Sequence, residues 1–223
     1  MRRLIISDLH LGSLFVNEDD LIKLLSEEKY DELILAGDII DFLRIPKFTK
    51  KTLEIFNLIF VNSKSIIYLV GNHDLAFINF VDNDILDKIK FKKKYEFKDN
   101  DKKIRIEHGD DYDLRSIIKW EYLISVLCVL INIIERFTNN NLVARFENYF
   151  CKKRDRINIY DIMKKNNDVD IFIMGHTHEP KIINTNFNIK NHMQIYANTG
   201  DWIENNSYLI LENGNIELKF INN

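Results

Sequence analysis

Short apolar runs that each stop at a polar cluster set the rhythm of this chain: "RLIISDLH", "ELILAGDIID", "SIIYLVGNHD", "KIRIEHGD" and "DIFIMGHTH". Runs of this length, bounded by Gly or Asp, predict buried strands rather than helices. The stretches between the first three carry helical spacing. Leu21, Leu24 and Leu25 fall on one face of the first, and Leu53, Phe56, Ile59 and Phe60 on one face of the second. Strand and helix therefore alternate as in parallel crossover units. Farther along, "MQIYANTG", "SYLILE" and "NIELKF" follow one another with turns such as "NGN", which predicts a hairpin or meander.

Ligands of α/β sheets bind beyond the carboxyl ends of the strands, so all of these polar clusters would emerge along one edge. One Asp-x-His is a weak signal, because buried histidines with satisfied hydrogen bonds are common. The same ending repeated on strand after strand is hard to attribute to packing. Imidazoles mixed with carboxylates suit manganese, iron or zinc, whereas magnesium and calcium favour oxygen ligands alone. Asp8 and His10 can converge on one ion if the chain turns between them, and Asp38 offers two oxygens with which to bridge two ions. A pair of divalent ions about 3.5 to 4 Å apart would polarise a phosphoryl group and lower the pKa of a water between them. Taken singly, the same residues have ordinary explanations: Asp8 and Asp38 as strand-end caps, Asn72 in a turn, and Gly37, Gly71, Gly109 and Gly175 as turn formers. Those explanations serve each residue but not the set. Asp41 and Asp110 have a competing role, as hydrogen-bond partners of ligand histidines. His192 lies outside every motif and reads as a surface residue.

The ordered set "DLH", "GDIID", "GNHD", "HGD" and "GHTH" resembles the calcineurin-like metallophosphoesterases, from Asp8 to His178. The resemblance implies an α/β fold, a four-layer α/β/β/α sandwich. It also implies Asp8, His10, Asp38 and His178 around one metal and Asp38, Asn72, His108 and His176 around the other. His73 would stabilise the phosphoryl oxygens and protonate the leaving oxygen, with Asp74 orienting its ring. The implied cofactors are two divalent ions, manganese first, with iron or zinc as alternatives. Within the superfamily, "SDLHLG", "HGDDYD", "GHTHEP" and "ANTGDW" are similar to the branch of UDP-2,3-diacylglucosamine hydrolases. That likeness implies cleavage of a UDP-diacyl-sugar to UMP and a lipid phosphate. The best-studied members of the branch carry "GNRD" where this chain has "GNHD", which leaves a soluble phosphodiester or nucleotide as the rival substrate.

Composition narrows the setting. With 223 residues, two prolines, seven glycines and no Pro/Gly/Ser-rich linker, the expectation is one domain spanning 1–223 with a helical insertion at about 113–168. A net charge of −3 with interspersed signs gives no electrostatic case for nucleic acid. The opening "MRRLIISDLHLG" lacks the long apolar stretch of a signal peptide, so a cytoplasmic location is expected. Cys128 and Cys151 lack metal-site or redox spacing and read as reduced packing residues. Inside the insertion, Leu123 to Ile134 is apolar except for Ser125 and Asn132, yet falls short of the roughly 20 residues a spanning helix needs. A helix buried against its neighbour explains it, and so does a cap with an acyl groove or a peripheral membrane contact on which Trp120 and Tyr122 would sit. Arg115, Lys152, Lys153 and Arg154 are candidates to hold a diphosphate or anionic headgroup, with a solvated basic face as the alternative; Arg156 continues the cluster. The expected partner is thus a phosphate-containing small molecule or lipid. A non-catalytic scaffold on the same fold is disfavoured by the intact ligand set.

Overall fold

The structure is a computed structural model that describes residues 1–42, 46–74, 88–112, 131, 134, 157–187 and 192–221. Each apolar run becomes a strand: β1 (Arg2–Ile6), β2 (Glu32–Ala36), β3 (Ser65–Leu69), β6 (Lys102–Glu107) and β7 (Ile171–Met174). The remaining strands are β4 (Ile89–Lys92), β5 (Lys94–Asp99), β8 (Lys181–Phe187), β9 (His192–Asn198), β10 (Ser207–Glu212) and β11 (Asn215–Phe220). They form a six-stranded sheet in the order β11-β10-β1-β2-β3-β4 and a five-stranded sheet in the order β5-β6-β7-β9-β8. Strands β1 to β4 run parallel, as do β6, β7 and β9, and antiparallel strands complete the sheets.

The alternation of side chains along a strand explains why the runs are apolar throughout. Leu4, Ile6, Leu33, Leu35, Ile66 and Tyr68 point to one face of the first sheet. They pack there with Leu21, Leu24 and Leu25 of α1 (Glu18–Glu27) and Ile55 and Ile59 of α2 (Lys50–Asn62). The intervening Ile5, Ile34, Ala36, Ile67 and Leu69 point the other way, onto Ile104, Ile106, Ile171, Ile173 and Ala197 of the second sheet. On the far side of that sheet, Phe172, Met174 and Tyr196 pack with Ile162 and Met163 of α3 (Ile159–Lys165). Helix, sheet, sheet and helix make the expected four-layer sandwich. A side chain such as Ile34, wholly buried between the sheets, contributes roughly 1.5 to 3 kcal/mol through its burial.

Helices α1 and α2 both start at side-chain caps. The Asn17 side chain accepts from the Asp20 N–H at the start of α1, and Thr49 and Thr52 form a reciprocal capping box at the start of α2. The Glu18 carboxylate also accepts from both threonine hydroxyls. This tie turns Thr52 inward and corrects the expected face of α2: the buried positions are Thr52, Ile55 and Ile59, while Leu53 is 61% exposed. Strands β4 and β5 had no counterpart in the apolar pattern, since lysines and Glu96 occupy their outward positions. Lysines on edge strands oppose pairing with another chain.

Most of the expected insertion, including Arg115, Trp120, Tyr122, Cys128, Cys151, Lys152, Lys153, Arg154 and Arg156, lies outside the described residues. Within Leu123 to Ile134, only Ile131 and Ile134 are described; both are helical, and Ile134 is exposed. The side chain of His192 is likewise outside what is described. Among the described residues, no helix is long and apolar enough to cross a membrane.

Candidate metal centre

Parallel pairing places the carboxyl ends of β1, β2 and β3 side by side, and those of β6 and β7 opposite them. The next residues along the chain are Asp8 and His10, Asp38, Asn72 to Asp74, His108, and His176 and His178. Among these, Asp8, His10, Asp38, His176 and His178 have left-handed backbones, with φ of 52, 46, 54, 63 and 59°. For residues other than glycine such angles cost on the order of 1 to 3 kcal/mol each, and they persist only where surrounding bonds impose them. Here the N–H groups of Asp8 and His10 donate to the carbonyls of Gly37 and Asp38 at 2.9 and 3.0 Å, and Gly175 donates to His108 at 3.0 Å. The strand ends therefore bend where the motif residues fall, which is the turn that convergence of Asp8 with His10 requires. Gly71 and Gly175 leave room for it: a Cβ at either position would collide with the Asp38 or Asp8 carboxylate.

The side chains gather into ligand groups. Asp8, His10 and His178 form one, Asp38, His108 and His176 a second, and His10, Asp38 and His73 a third, with the donor atoms of each group within 4.8 Å of one another. Asp38 belongs to the second and third of them, and His10 to the first and third. His178 Nε2 is 3.2 Å from Asp8 Oδ1 and 3.4 Å from His10 Nε2, and His108 Nε2 is 3.2 Å from Asp38 Oδ2. Atoms bound at about 2.0 to 2.2 Å to a common ion stand roughly 3 to 3.5 Å apart, so these spacings fit a shared divalent ion. The second oxygen of Asp8 accepts from the His176 N–H at 3.0 Å and from the Ser7 hydroxyl. Asp8 Oδ1 and Asn72 Oδ1, by contrast, are buried with no hydrogen-bond partner among the described residues. An acceptor left so costs about 1 to 3 kcal/mol unless something else fills the role. The donor set fits a pair of divalent ions, and Asn72 follows Gly71 at the end of β3, where the second group gathers.

Charge within this buried cluster separates the titrating groups. Burial alone would raise the Asp8 pKa, but His178 and then His108 outweigh it and hold it at about 2. Burial opposes ionisation of Asp38 too, and His108 and His73 keep it well below the ordinary range. Burial would lower the His108 pKa, yet Asp38 lifts it to about 10, while burial and the neighbouring His73 push His10 down to about 4.

One expectation needs correction. The carboxylate beside the His73 ring is Asp41, whose Oδ1 lies 3.0 Å from Nδ1; Asp41 itself is wholly buried. Asp74 is engaged elsewhere. Its carboxylate accepts from the N–H groups of Ile39, Ile40 and Gly71 and from the Tyr68 hydroxyl at 2.9 to 3.3 Å, which locks the loop after β2 onto the turn after β3. Burial, with Asp38 nearby, raises the Asp74 pKa to about 6. His73 itself is placed by its backbone, whose N–H donates to Asp38 Oδ1 at 2.9 Å, and its Nε2 is 3.7 Å from Asp38 Oδ2. Asp110 stands near a lysine, with its Oδ2 3.8 Å from Lys93 Nζ. Ser7 carried no signal in the sequence beyond its place before Asp8.

A four-layer sandwich with Asp/His ligand groups at the carboxyl ends of its parallel strands defines a metallophosphoesterase. Residues 1–180 match the calcineurin-like phosphoesterase family, and the chain belongs to it. No curated protein matches the chain in sequence. Among solved structures it is similar to a metallophosphoesterase from Sphaerobacter thermophilus, at 19% identity over 100% of this chain and 89% of that one, with a TM-score of 0.52. It is also similar to a novel archaeal phosphodiesterase, at 16% identity over 98% of this chain and 99% of that one, with a TM-score of 0.52. Vps29 from Chaetomium thermophilum matches at 12% identity over 98% of this chain and 94% of that one, with a TM-score of 0.48. At these identities the likeness is one of fold.

Proposed function

We propose that the protein hydrolyses phosphoester or phosphoanhydride bonds at a dinuclear metal centre. Asp8, His10, Asp38 and His178 would hold one ion, and Asp38, Asn72, His108 and His176 the other. The observation that carries this reading is that Asp38 shares one ligand group with His108 and His176 and another with His10 and His73, while His10 also joins Asp8 and His178. Divalent ions in such a centre neutralise phosphoryl charge and make a water acidic enough to attack at neutral pH. The remaining work falls to the chain's own side chains. Asp41 at Nδ1 fixes the His73 tautomer and stabilises its cationic form, leaving Nε2 on the Asp38 side to meet a phosphoryl or leaving-group oxygen. From that position His73 gives its proton to the departing oxygen. A mixed imidazole and carboxylate donor set suits manganese, iron or zinc, and we take manganese as the first ion to load.

For the substrate we take the phosphoanhydride of a UDP-diacylglucosamine-like lipid as the leading candidate, supported by "HGDDYD", "GHTHEP" and "ANTGDW" and by the apolar Leu123 to Ile134 stretch. The rival is a soluble phosphodiester, favoured by "GNHD" in place of "GNRD". The family and the complete ligand set weigh against a scaffold without activity. Manganese-loaded protein should hydrolyse bis(p-nitrophenyl) phosphate, and His73→Ala should lower that activity by about 10² to 10⁴-fold; inertness toward every such ester would revive the scaffold. Turnover of detergent-dispersed UDP-diacylglucosamine in preference to soluble dinucleotides supports the lipid, and the opposite preference removes it.

A further inference from the structure

The segment from Thr199 to Asn205 lies beyond the residues that match the family and contains none of the proposed ligands, yet it touches one half of the centre repeatedly. Asp201 is 1% exposed, and its Oδ1 accepts from the N–H groups of Ile203 and Glu204 at 2.8 and 2.7 Å, which closes a tight turn. Its Oδ2 accepts from Asn205 Nδ2 at 2.6 Å and stands 3.8 Å from His178 Nδ1. The same Asn205 amide donates to the His178 carbonyl at 3.0 Å. Directly after Asp201, the Trp202 N–H donates to the Asp8 carbonyl at 3.3 Å. The Thr199 hydroxyl meets that of Ser7, which in turn donates to Asp8 Oδ2.

These contacts fall on Asp8 and His178, which share a ligand group, and the cited bonds include none to Asp38, His108 or His176. The other half has its own brace, since His108 Nδ1 lies 3.0 Å from the Ala36 carbonyl. Of the two halves, the one the segment touches is the less enclosed: the His178 side chain is 27% exposed and that of His108 1%. His178 also has a left-handed backbone at φ 59°, which needs an outside hold. Its Nε2 is directed to Asp8 and His10, and its Nδ1 faces the Asp201 carboxylate.

We infer that Asp201 and Asn205 form a clasp that positions His178, and that this clasp sets the affinity of the Asp8/His10/His178 metal position independently of the other. Asn205 holds the His178 backbone, and Asp201 holds Asn205 and faces the imidazole. The inference rests on the two-metal reading. It makes Asp201 and Asn205 positioning residues, since they act through His178.

The test is calorimetric titration of chelator-stripped, full-length protein with MnCl2. Wild type should show two binding events, and His178→Ala identifies the event that belongs to this half by removing it. Asp201→Asn keeps an oxygen for the turn N–H groups but puts an N–H where Oδ2 stood. It should weaken that event by roughly 10- to 100-fold, the usual effect of losing a group that orients a metal ligand, and leave the other event unchanged. Asn205→Ala tests the same clasp from its other end and serves if the Asp201 variant does not fold. Unchanged affinities in both variants, or equal weakening of both events, would overturn the clasp. If wild type bound no manganese, zinc or iron, the two-metal reading would fail, and the clasp with it.

Discussion

His108 and His10 are both buried imidazoles at the end of a parallel strand, and both belong to candidate ligand groups, yet their surroundings drive them in opposite directions. His108 has Asp38 at 3.2 Å and a backbone carbonyl behind it, so burial is overcome and the ring keeps its proton to about pH 10. His10 meets the rings of His73 and His178 at centroid distances of 4.8 and 5.3 Å and stays neutral down to about pH 4. Without an ion, then, a proton takes the cation's place at His108, while His10 is already deprotonated. The comparison shows that two imidazoles, each sharing a ligand group with Asp38, need not meet an ion in the same protonation state.

Removal of the shared carboxylate should have the largest effect. Asp38→Asn is expected to eliminate both binding events and to lower phosphodiesterase activity by about 10³-fold or more, measured on bis(p-nitrophenyl) phosphate, because the charge stabilisation of the transition state goes with it. Loss of one event with the other intact would mean that Asp38 does not join the halves. Next, His73→Asn should cut turnover by about 10² to 10⁴-fold while both ions still bind, as expected for loss of a proton donor. Asp41→Asn should follow at about 10- to 100-fold through loss of ring orientation.

A smaller effect separates the halves by pH. His108 titrates at about 10 in the folded chain against an ordinary 6.5, so its contribution to stability is full below 6.5 and lost as pH rises through 10. His10 titrates at about 4 against 6.5; the unfolded chain binds the extra proton in between, so stability is lost as pH falls from 6.5 to 4. Metal-free protein should therefore melt at its highest temperature between these limits, and ion loading should remove most of the alkaline decline. At pH 7.5, occupation of the His108 half should release a proton from His108, as read by calorimetry in buffers of different ionisation enthalpy. Absence of proton release from that half would contradict a protonated His108 in the metal-free protein. The smallest effect is structural: Asp74→Asn should lower stability by about 1 to 3 kcal/mol in chemical denaturation, since an amide group cannot accept all of the bonds that the carboxylate does.

How much of this was legible beforehand depended on the range of each interaction. The apolar runs announced β1, β2, β3, β6 and β7 because both faces of those strands are buried, and the motif residues followed at their ends. The strands β4 and β5 were hidden because alternate lysines, placed outward on sheet edges, break the apolar run. The face of α2 was misread because Thr52 turns in to meet Glu18, a contact across 34 residues that periodicity cannot show. Within the site, Asp74 was assigned to orient His73 through the family resemblance. The pairing observed with Asp41 arises because parallel strands bring the loop after β2 against the turn after β3. Asp201 was visible only as part of "NTGDW"; its closeness to His178 depends on the chain folding back across the centre.

The most direct test is anomalous diffraction from crystals loaded with manganese. Two peaks about 3.5 to 4 Å apart on either side of Asp38, one beside Asp8, His10 and His178 and the other beside His108 and His176, are the predicted result. A single peak, or peaks away from Asp38, would contradict the account.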